Sequence, residues 1–408
     1  MLLTIALRNI GRNKRRSALT ALAIGFSFGL LLFSMALQRG SYVDMIQNTV
    51  RVQTGHLQIQ RTGYWPERLL QEKLDPAGLI ELASREPQVI GVTPRVSAAA
   101  LVSKDDHTFG ALVLGIDPER EPSVSSLRQN MQRGEFLPAD DTSGALLGEA
   151  LAGNLGASPG DEVIFVGQGA DGSMAAARLV VRGVFKVGLA DLDRSMLVAH
   201  IRAIQEAFSM ESNVTEIAIL LDNERNRPAA TLRLRNALVE AGRTDAVVLG
   251  WSELMPGVEQ SMAVDWNSGL IIYAALVLVV GLGIANTFLM AYMERTHELG
   301  VMLAMGMPPR RLSWMVYLES MVLLTAGLCV GLVAGVPLTL YFQGRGIDFG
   351  VSEDLTSRYI MSAVIHPRLE PLVFNWAGGI VVFVTLLVAV YPAIKAGRIR
   401  PVEAIRRA

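Results

Sequence analysis

The sequence is poor in cysteine, lysine and charge. Its one cysteine, Cys329, excludes an internal disulfide, so any part outside the cytoplasm has to fold on an apolar core. Only five of the 37 basic residues are lysines, and none follows a glycine. The GxxxxGK[ST] phosphate loop is therefore absent, and the chain does not hydrolyse ATP by that route. A net charge of -1 provides no basic field for nucleic acid, which we exclude as a partner.

Apolar residues make up 51% of the chain, too many for a wholly soluble protein. Four windows lack any charged side chain over the roughly 20 residues that cross a bilayer. They are Ser17–Gln38, Trp266–Met293, Ser320–Gly344 and Pro371–Ile394. Basic residues precede the first window, follow the last one and occupy the loop after the second. The positive-inside rule therefore predicts that both termini are cytoplasmic.

These observations predict an α-helical membrane protein with four transmembrane helices and a large α+β extracytoplasmic domain. The predicted segments are a basic amphipathic cytoplasmic segment 1–16, TM1 at 17–38, the outer domain 39–265, TM2 at 266–293, a cytoplasmic loop or helix 294–312, TM3 at 313–344, a short outer loop 345–370, TM4 at 371–394 and a cytoplasmic tail 395–408. The first window also imitates a cleavable signal peptide, but its uncharged length favours an uncleaved anchor.

The outer domain begins and ends with a strand, helix, strand pattern. The predicted elements are strands Val52–Gln60, Val89–Val102, Val214–Leu221 and Ala246–Leu249, a helix opened by Asp75-Pro76, and a helix Arg227–Ala241. Together they predict a split ferredoxin-like βαβ layer over 52–103 and 214–250, with a β-rich insertion at 104–210. Helical spacing predicts two stalks, 39–53 and 253–265, for which simple linkers are the alternative.

Two glycine motifs imitate enzyme signatures. Residues 25–29 (GFSFG) fit the GxSxG nucleophile elbow, but they lie inside an uncharged window rather than at a strand-to-helix turn. The same residues spell GxxxG, a spacing that recurs in the third window and predicts close helix packing. The helix-packing candidates are Gly25, Gly29, Gly327, Gly331 and Gly335. Residues 167–172 fit GxGxxG, yet a strand pattern follows where a dinucleotide site needs a helix, so we predict a hairpin turn.

The titratable residues form neither a catalytic set nor a metal site. The five histidines show no HxxxH spacing, and the acid pairs Asp105-Asp106 and Asp191/Asp193 are typical of surface loops. We therefore predict a non-catalytic chain without a metal, and rank a membrane-bound enzyme as the last alternative.

The loop 294–312 is longer than a connector needs to be. Residues 294–306 (ERTHELGVMLAMG) begin polar, become apolar and are helix-prone. Glu294 and Glu298 are four residues apart and hence on one face of a helix. We predict that this face, with its exposed apolar side chains, docks in a groove of a partner. The candidate docking residues are Glu294, Arg295, Glu298, Leu299, Met302 and Leu303.

Four segments together resemble the MacB-type, or type VII, ABC transporter permeases, a family that includes the lipoprotein-releasing permeases LolC and LolE and the division permease FtsX. The resembling segments are residues 1–20, residues 294–306, Glu319 with the glycines of the third window, and residues 391–406 with YPAIKA and PVEAIR. The similarity covers the entire chain. One departure is Leu303, where the family commonly has a basic residue, which puts part of the usual polar docking in doubt.

The resemblance implies a dimer of permeases, with a second copy or a paralogue, in the bacterial inner membrane. It also implies that a separate cytoplasmic ABC ATPase binds ATP and Mg and receives the 294–306 segment, so the chain itself needs no cofactor. The family is thought to move its outer domains by mechanotransmission.

The first functional hypothesis is release of a lipoprotein or another amphiphile, handled with membrane lipids and a periplasmic carrier. This choice rests on the long outer domain and residues 55–60 (GHLQIQ), which are similar to the lipoprotein-releasing branch. MacB-like efflux through an adaptor and an outer-membrane channel is the second hypothesis. An FtsX-like lever for a cell-wall hydrolase is the third.

Overall fold

The computed structural model describes residues 8, 12, 14–348 and 364–398. The chain divides into two compact units. The first, the helical unit, comprises the described residues up to 43, 262–348 and 364–398; the second, the sheet unit, comprises 44–261. Residues 349–363, the tail 399–408 and most of the first thirteen residues lie outside the described part, and so do the predictions made for them.

Long apolar helices dominate the helical unit. They are α1 (Lys14–Thr49), α8 (Pro256–Glu294), α10 (Pro309–Arg345) and α11 (Pro371–Gly397). Within the described residues these four helices are long and apolar enough to cross a membrane. The 36 residues of α1 rise about 54 Å, well beyond the ~30 Å hydrocarbon core. Thus 39–49 of the first predicted stalk belongs to α1, and 256–265 of the second belongs to α8.

A short helix, α9 (Thr296–Ala304), lies between α8 and α10. The predicted outer loop at 345–370 is described only at its ends, where β11 (Ile347–Asp348) pairs antiparallel with β12 (Val364–Ile365). Side chains of α1, α8, α10 and α11 form an apolar cluster in this unit that includes Ile24, Phe28 and Leu32.

The sheet unit contains one ten-stranded sheet. Its strands are β1 (Leu57–Arg61), β2 (Val89–Lys104), β3 (His107–Ile116), β4 (Met131–Gly134), β5 (Gly144–Gly148), β6 (Glu162–Gln168), β7 (Met174–Phe185), β8 (Met196–His200), β9 (Glu216–Leu221) and β10 (Ala246–Gly250). The order is β10-β1-β9-β2-β3-β8-β5-β7-β4, and β6 pairs with β2 and β7.

Short helices accompany these strands. They are α2 (Leu79–Ser84), α3 (Glu149–Leu155), α4 (Ala190–Ser195), α5 (Ile201–Ala207), α6 (Arg227–Glu240) and α7 (Trp251–Leu254). Buried side chains of α2, α3, α5 and α6 share one continuous core with those of the strands, including Leu79, Leu151, Ile204 and Leu234.

The four strands contributed by the two ends of the sheet unit are neighbours in the order β10-β1-β9-β2, and every adjacent pair is antiparallel. The insertion is not a separate sheet. The 16-residue β2 pairs through its first part with β9 and through its second part with β3 and β6. One long strand therefore belongs to both regions.

Three local predictions differ from the structure. The first strand begins at Leu57, because Val50–Thr54 forms a π turn that closes with a bond from the Gly55 amide to the Val50 carbonyl. Gly55 has φ +67°, and a Cβ there would lie 2.7 Å from the Ile219 carbonyl oxygen, so a glycine is required. The regular part of α2 starts at Leu79 rather than directly after Asp75, whose side chain accepts a bond from the Ala77 amide.

The third difference is that α1 and α8 extend well beyond the uncharged windows that defined TM1 and TM2.

The GxGxxG residues 167–172 lie where β6 turns into β7, and residues 25–29 lie inside α1. A dinucleotide site needs a helix after the strand, and a nucleophile elbow needs a strand-to-helix turn, so neither motif has the structural context of an enzyme site.

Candidate functional site

The candidate site is built around α9, whose ends are set by the local sequence. Arg295 breaks the helical path after α8, with φ −106° and ψ 9°. The Thr296 hydroxyl donates back to the Tyr292 and Met293 carbonyls. At the other end Gly306 has φ +93°, the left-handed conformation that ends helices. Glu294 is thus the last residue of α8, and the expectation that it shares one helix face with Glu298 is wrong.

Arg295 forms a buried ion pair with Glu319 of α10. Its Nη1 atom donates to both carboxylate oxygens, at 2.8 Å each. Arg295 is 8% exposed and Glu319 is 9% exposed. Opposite charges at such a distance stabilise each other strongly where water is excluded, but removing one partner leaves an uncompensated buried charge.

Glu298 extends the pair into a chain of alternating charges. Its carboxylate lies 3.4 Å from the Arg295 Nε atom and also accepts a hydrogen bond from Arg12. Arg12, Glu298, Arg295 and Glu319 are named the Arg295 cluster here. The cluster links the start of the chain, α9 and α10 through side chains that are far apart in the sequence.

The apolar side of α9 faces its own chain. Leu299 is 2% exposed and packs with Tyr292, Leu312 and Met315, while Met302 and Leu303 lie partly buried against the same group. The expectation that Leu299 is exposed for a partner is therefore wrong, because its position on α9 directs it towards α10. Met305, just after α9, is 75% exposed.

A small cavity of about 40 Å³ lies beside the ion pair. Its polar lining includes Ser17, Thr20 and Ser320 as well as Arg295 and Glu319. Pro392 of α11 also borders it, and Lys395 lies over the rings of Tyr292 and Tyr391 at 5.6 Å. Four sequence segments that carry the family resemblance therefore meet at this one place.

The glycines of the two GxxxG patterns lie at one interface between α1 and α10. A Cβ on Gly25 would lie 2.9 Å from the Gly327 carbonyl oxygen, and one on Gly335 would lie 2.9 Å from the Gly29 Cα atom. A Cβ on Gly331 would lie 2.6 Å from the Gly25 carbonyl oxygen. The helix backbones approach each other closely because side chains are absent on both sides.

The other titratable groups do not assemble into a site. Among the described residues no three His, Cys, Asp or Glu side chains are grouped to hold a metal. Asp105 lies in the β2–β3 turn. Asp193 accepts the Val187 and Gly188 amides, and burial raises its pKa. Its contacts give it a structural role.

The pairing of Arg295 with Glu319 was missed by sequence reasoning. The signal was present, because Glu319 stands directly before the third uncharged window. A carboxylate at the border of an apolar span needs a cation or another partner. Arg295 lies two residues after the end of the second window and is an arginine in a comparable border position.

Two family models match the chain. The MacB-like periplasmic core domain matches residues 17–237, and the FtsX-like permease C-terminal region matches residues 270–401. The two matches together include most of α1 and of the sheet unit, and all of α9, α10 and α11.

Three bacterial proteins are similar to the chain over most of its length. The lipoprotein-releasing system transmembrane protein LolC of Neisseria meningitidis serogroup B is 23% identical over 81% of this chain and 81% of its own length. LolE of Haemophilus influenzae is 21% identical over 97% of this chain and 96% of its own length. The macrolide export ATP-binding/permease protein MacB of Hyphomonas neptunium is 25% identical over 98% of this chain and 60% of its own length.

Proposed function

The chain belongs to the MacB-type family of ABC transporter permeases, with an FtsX-like carboxy-terminal region, and from that membership we propose that it transmits the motion of an ATPase to a periplasmic domain. The Arg295 cluster is the observation that carries this proposal. It joins α9 to α10 through the buried pair of Arg295 with Glu319. It joins α9 to the start of the chain through Glu298, which contacts both Arg295 and Arg12. A short helix that is fixed in this way transfers a push, whereas a loose connector absorbs it.

The proposed orientation places both termini in the cytoplasm and the sheet unit in the periplasm of a bacterial inner membrane. Support comes from the basic residues Arg8, Lys14 and Arg15 near the start of the chain, Arg310 and Arg311 before the third span, and Lys395 and Arg398 after the fourth. The match to a periplasmic core domain supports the same orientation. We also propose that the strands β10-β1-β9-β2 with α2 and α6 form a split ferredoxin-like layer.

The proposed partner at α9 is a separate cytoplasmic ABC ATPase that binds ATP and Mg. Glu294 lies just before α9 and Met305 lies just after it, and both are exposed. They are therefore the proposed contacts. Arg295 and Leu299 support them from within the chain. Because Leu299 is buried, the proposed apolar contact is Met305 instead. Met302 and Leu303 are partly buried, so only their exposed atoms contribute.

The proposed assembly contains a second permease, either a copy of this chain or a paralogue. Apolar side chains of α8, including Ile271, Val279 and Leu282, are exposed in the single chain. Such a surface is suited to lipid or to another apolar helix. These residues support the proposal of an assembly in the membrane.

Release of a lipoprotein or another amphiphile is the proposed activity. Its support is the similarity to proteins named as parts of lipoprotein-releasing systems, over more than four fifths of the chain. MacB-like export is the second candidate, supported by the similarity to a macrolide export protein over 98% of the chain.

The decisive test is affinity purification of the tagged full-length chain from its native host. The proposal predicts that an ABC ATPase co-purifies, and that ATP hydrolysis is found only in fractions containing it. Met305→Glu should reduce the co-purified ATPase. Met174→Glu is the matched control, because Met174 is 78% exposed but lies in the sheet unit. Hydrolysis by the chain without a second polypeptide would contradict the proposal.

The orientation has a separate test in intact spheroplasts. With Cys329→Ser as background, a cysteine at Met174 should react with an impermeant maleimide, and a cysteine at Thr296 should react only after permeabilisation. The reverse pattern would refute the orientation, whatever the purification shows.

A further inference from the structure

Arg295 combines two features that separate it from an ordinary interfacial arginine. Its backbone is the break between α8 and α9, since its φ and ψ are not helical. Its side chain is buried against Glu319 of α10. The main chain therefore permits α9 to change direction relative to α8, while the side chain holds the start of α9 to α10.

We propose that Arg295 is a positioning residue that makes α9 and α10 move together. A force applied to α9 would then displace the third span rather than bend the α8–α9 junction. This inference rests on the proposed function, in which a partner ATPase pushes on α9, and it specifies the path by which that push enters the membrane part.

The geometry requires an arginine. Nη1 contacts both oxygens of Glu319 while Nε faces Glu298 at 3.4 Å. One guanidinium thus bridges two carboxylates with different nitrogen atoms in a fixed plane. A lysine has one nitrogen on a flexible stem, so it retains the charge but loses the bridge.

The path continues from α10 to α1 at the glycine interface, where the backbones of the two helices are in contact. Separately, Arg12, which precedes α1 in the sequence, pairs with Glu298 of α9. At the glycines the two backbones meet directly, and the side chains of Ile24, Phe28 and Val330 pack closely beside them. A displacement of α10 is therefore passed to α1 without being absorbed at their interface.

A purely structural ion pair would look the same in a static structure, so the test has to separate stability from coupling. Replacing a buried ion pair with apolar residues of similar size is often neutral or stabilising, whereas removing one partner is strongly destabilising. The double variant Arg295→Met with Glu319→Leu therefore keeps the fold but removes the bridge. Arg295→Lys keeps the charge. Arg311→Lys, at an exposed arginine of α10, is the matched control.

The experiment uses the full-length chain in its complex with the ATPase that co-purifies with it. Nitroxide labels on the native Cys329 in α10 and on Met174→Cys in the sheet unit report a distance with and without ATP and Mg. Labelled chain is diluted with unlabelled chain, so that distances between copies do not contribute. Co-purified ATPase and the KM for ATP are measured in parallel.

We expect Arg295→Lys and the double variant to retain the ATPase and its KM for ATP, and to lose most of the nucleotide-driven distance change that the parent shows. Arg311→Lys should behave as the parent. A full distance change in both Arg295 variants would overturn the positioning role alone. Failure of the parent chain to recover any ATPase would overturn the proposed function, and the positioning role with it.

Discussion

The backbone of Gly331 in α10 lies directly against the backbone of Gly25 in α1. A Cβ added to Gly331 would lie 2.6 Å from the Gly25 carbonyl oxygen and 2.8 Å from the ring of Phe28. Neither neighbour can retreat easily, because one is main chain and the other is buried in the core of the helical unit. The separation of the two helices is therefore set by the absence of side chains.

Gly331→Ala should destabilise the helical unit by about 1–3 kcal/mol, the usual cost of overpacking. The measurement is the unfolding midpoint of the purified full-length chain in detergent. Gly379→Ala is the control, since a Cβ there meets nothing within 4 Å. Equal stability of the two variants would show that α1 and α10 do not approach as described.

Leu299→Ala should lower stability even without any partner. Truncating a fully buried leucine costs about 2–5 kcal/mol, and Leu299 is enclosed by Tyr292, Leu312 and Met315. Met305→Ala should leave the unfolding midpoint unchanged, because its side chain is largely exposed. If Leu299→Ala proved harmless to the isolated chain but released the ATPase, Leu299 would face the partner after all.

Arg95→Met should destabilise the sheet unit severely. Arg95 and Glu121 are both fully buried, and the Arg95 side chain also donates to the Gln53 carbonyl in the π turn. Removing the cation leaves Glu121 uncompensated, at a cost of about 3–5 kcal/mol. Arg178→Met breaks the exposed pair with Glu162 and should cost no more than about 1 kcal/mol. Urea unfolding followed by tryptophan fluorescence distinguishes the two, and similar midpoints would refute the prediction.

Acid should weaken the sheet unit through His56. Burial lowers the pKa of His56, despite the opposing attraction of Glu224, and its Nδ1 atom accepts the Leu221 amide at 3.0 Å. A lowered pKa means that the unfolded chain binds a proton more readily than the folded one. Stability contributed by neutral His56 is therefore complete above a pH of about 6.5 and falls as the pH drops from there towards the folded-state pKa.

The test compares urea midpoints of the parent chain and His56→Gln at pH 7.5 and at pH 5.5. Glutamine offers an acceptor to the same amide without titrating. The parent should lose more stability than the variant over this interval, and parallel losses would assign the acid sensitivity to other groups.

Much of this architecture follows from local sequence. Uncharged windows located the cores of α1, α8, α10 and α11, because crossing a bilayer demands a long apolar run. Their ends could not be located in the same way, since α1 continues to Thr49 through residues of mixed polarity. The Arg227–Glu240 helix was predicted to within one residue from its apolar face and the glycine that follows it. The family prediction was confirmed by the two matching family models.

The contacts that make up the site join residues far apart in the chain, so they could not be predicted from local sequence patterns. The spacing of Gly25 and Gly29 predicted a helix interface, but which helix they meet depends on how the spans assemble. Leu299 was predicted to be an exposed anchor, because a helical pattern identifies an apolar face without identifying what covers it. Its burial follows from α10 folding back beside α9, which only the tertiary structure determines.

The account's central claim is that this chain carries the motion of an ATPase to its sheet unit, and one distance tests it most directly. The chain labelled at Cys329 and at Met174→Cys, held in its ATPase complex, is measured by pulsed electron spin resonance in the presence of ADP and of ATP with Mg. The account predicts that the distance distribution shifts with ATP and returns once ATP has been hydrolysed. An unchanged distribution in a complex that is actively hydrolysing ATP would contradict it.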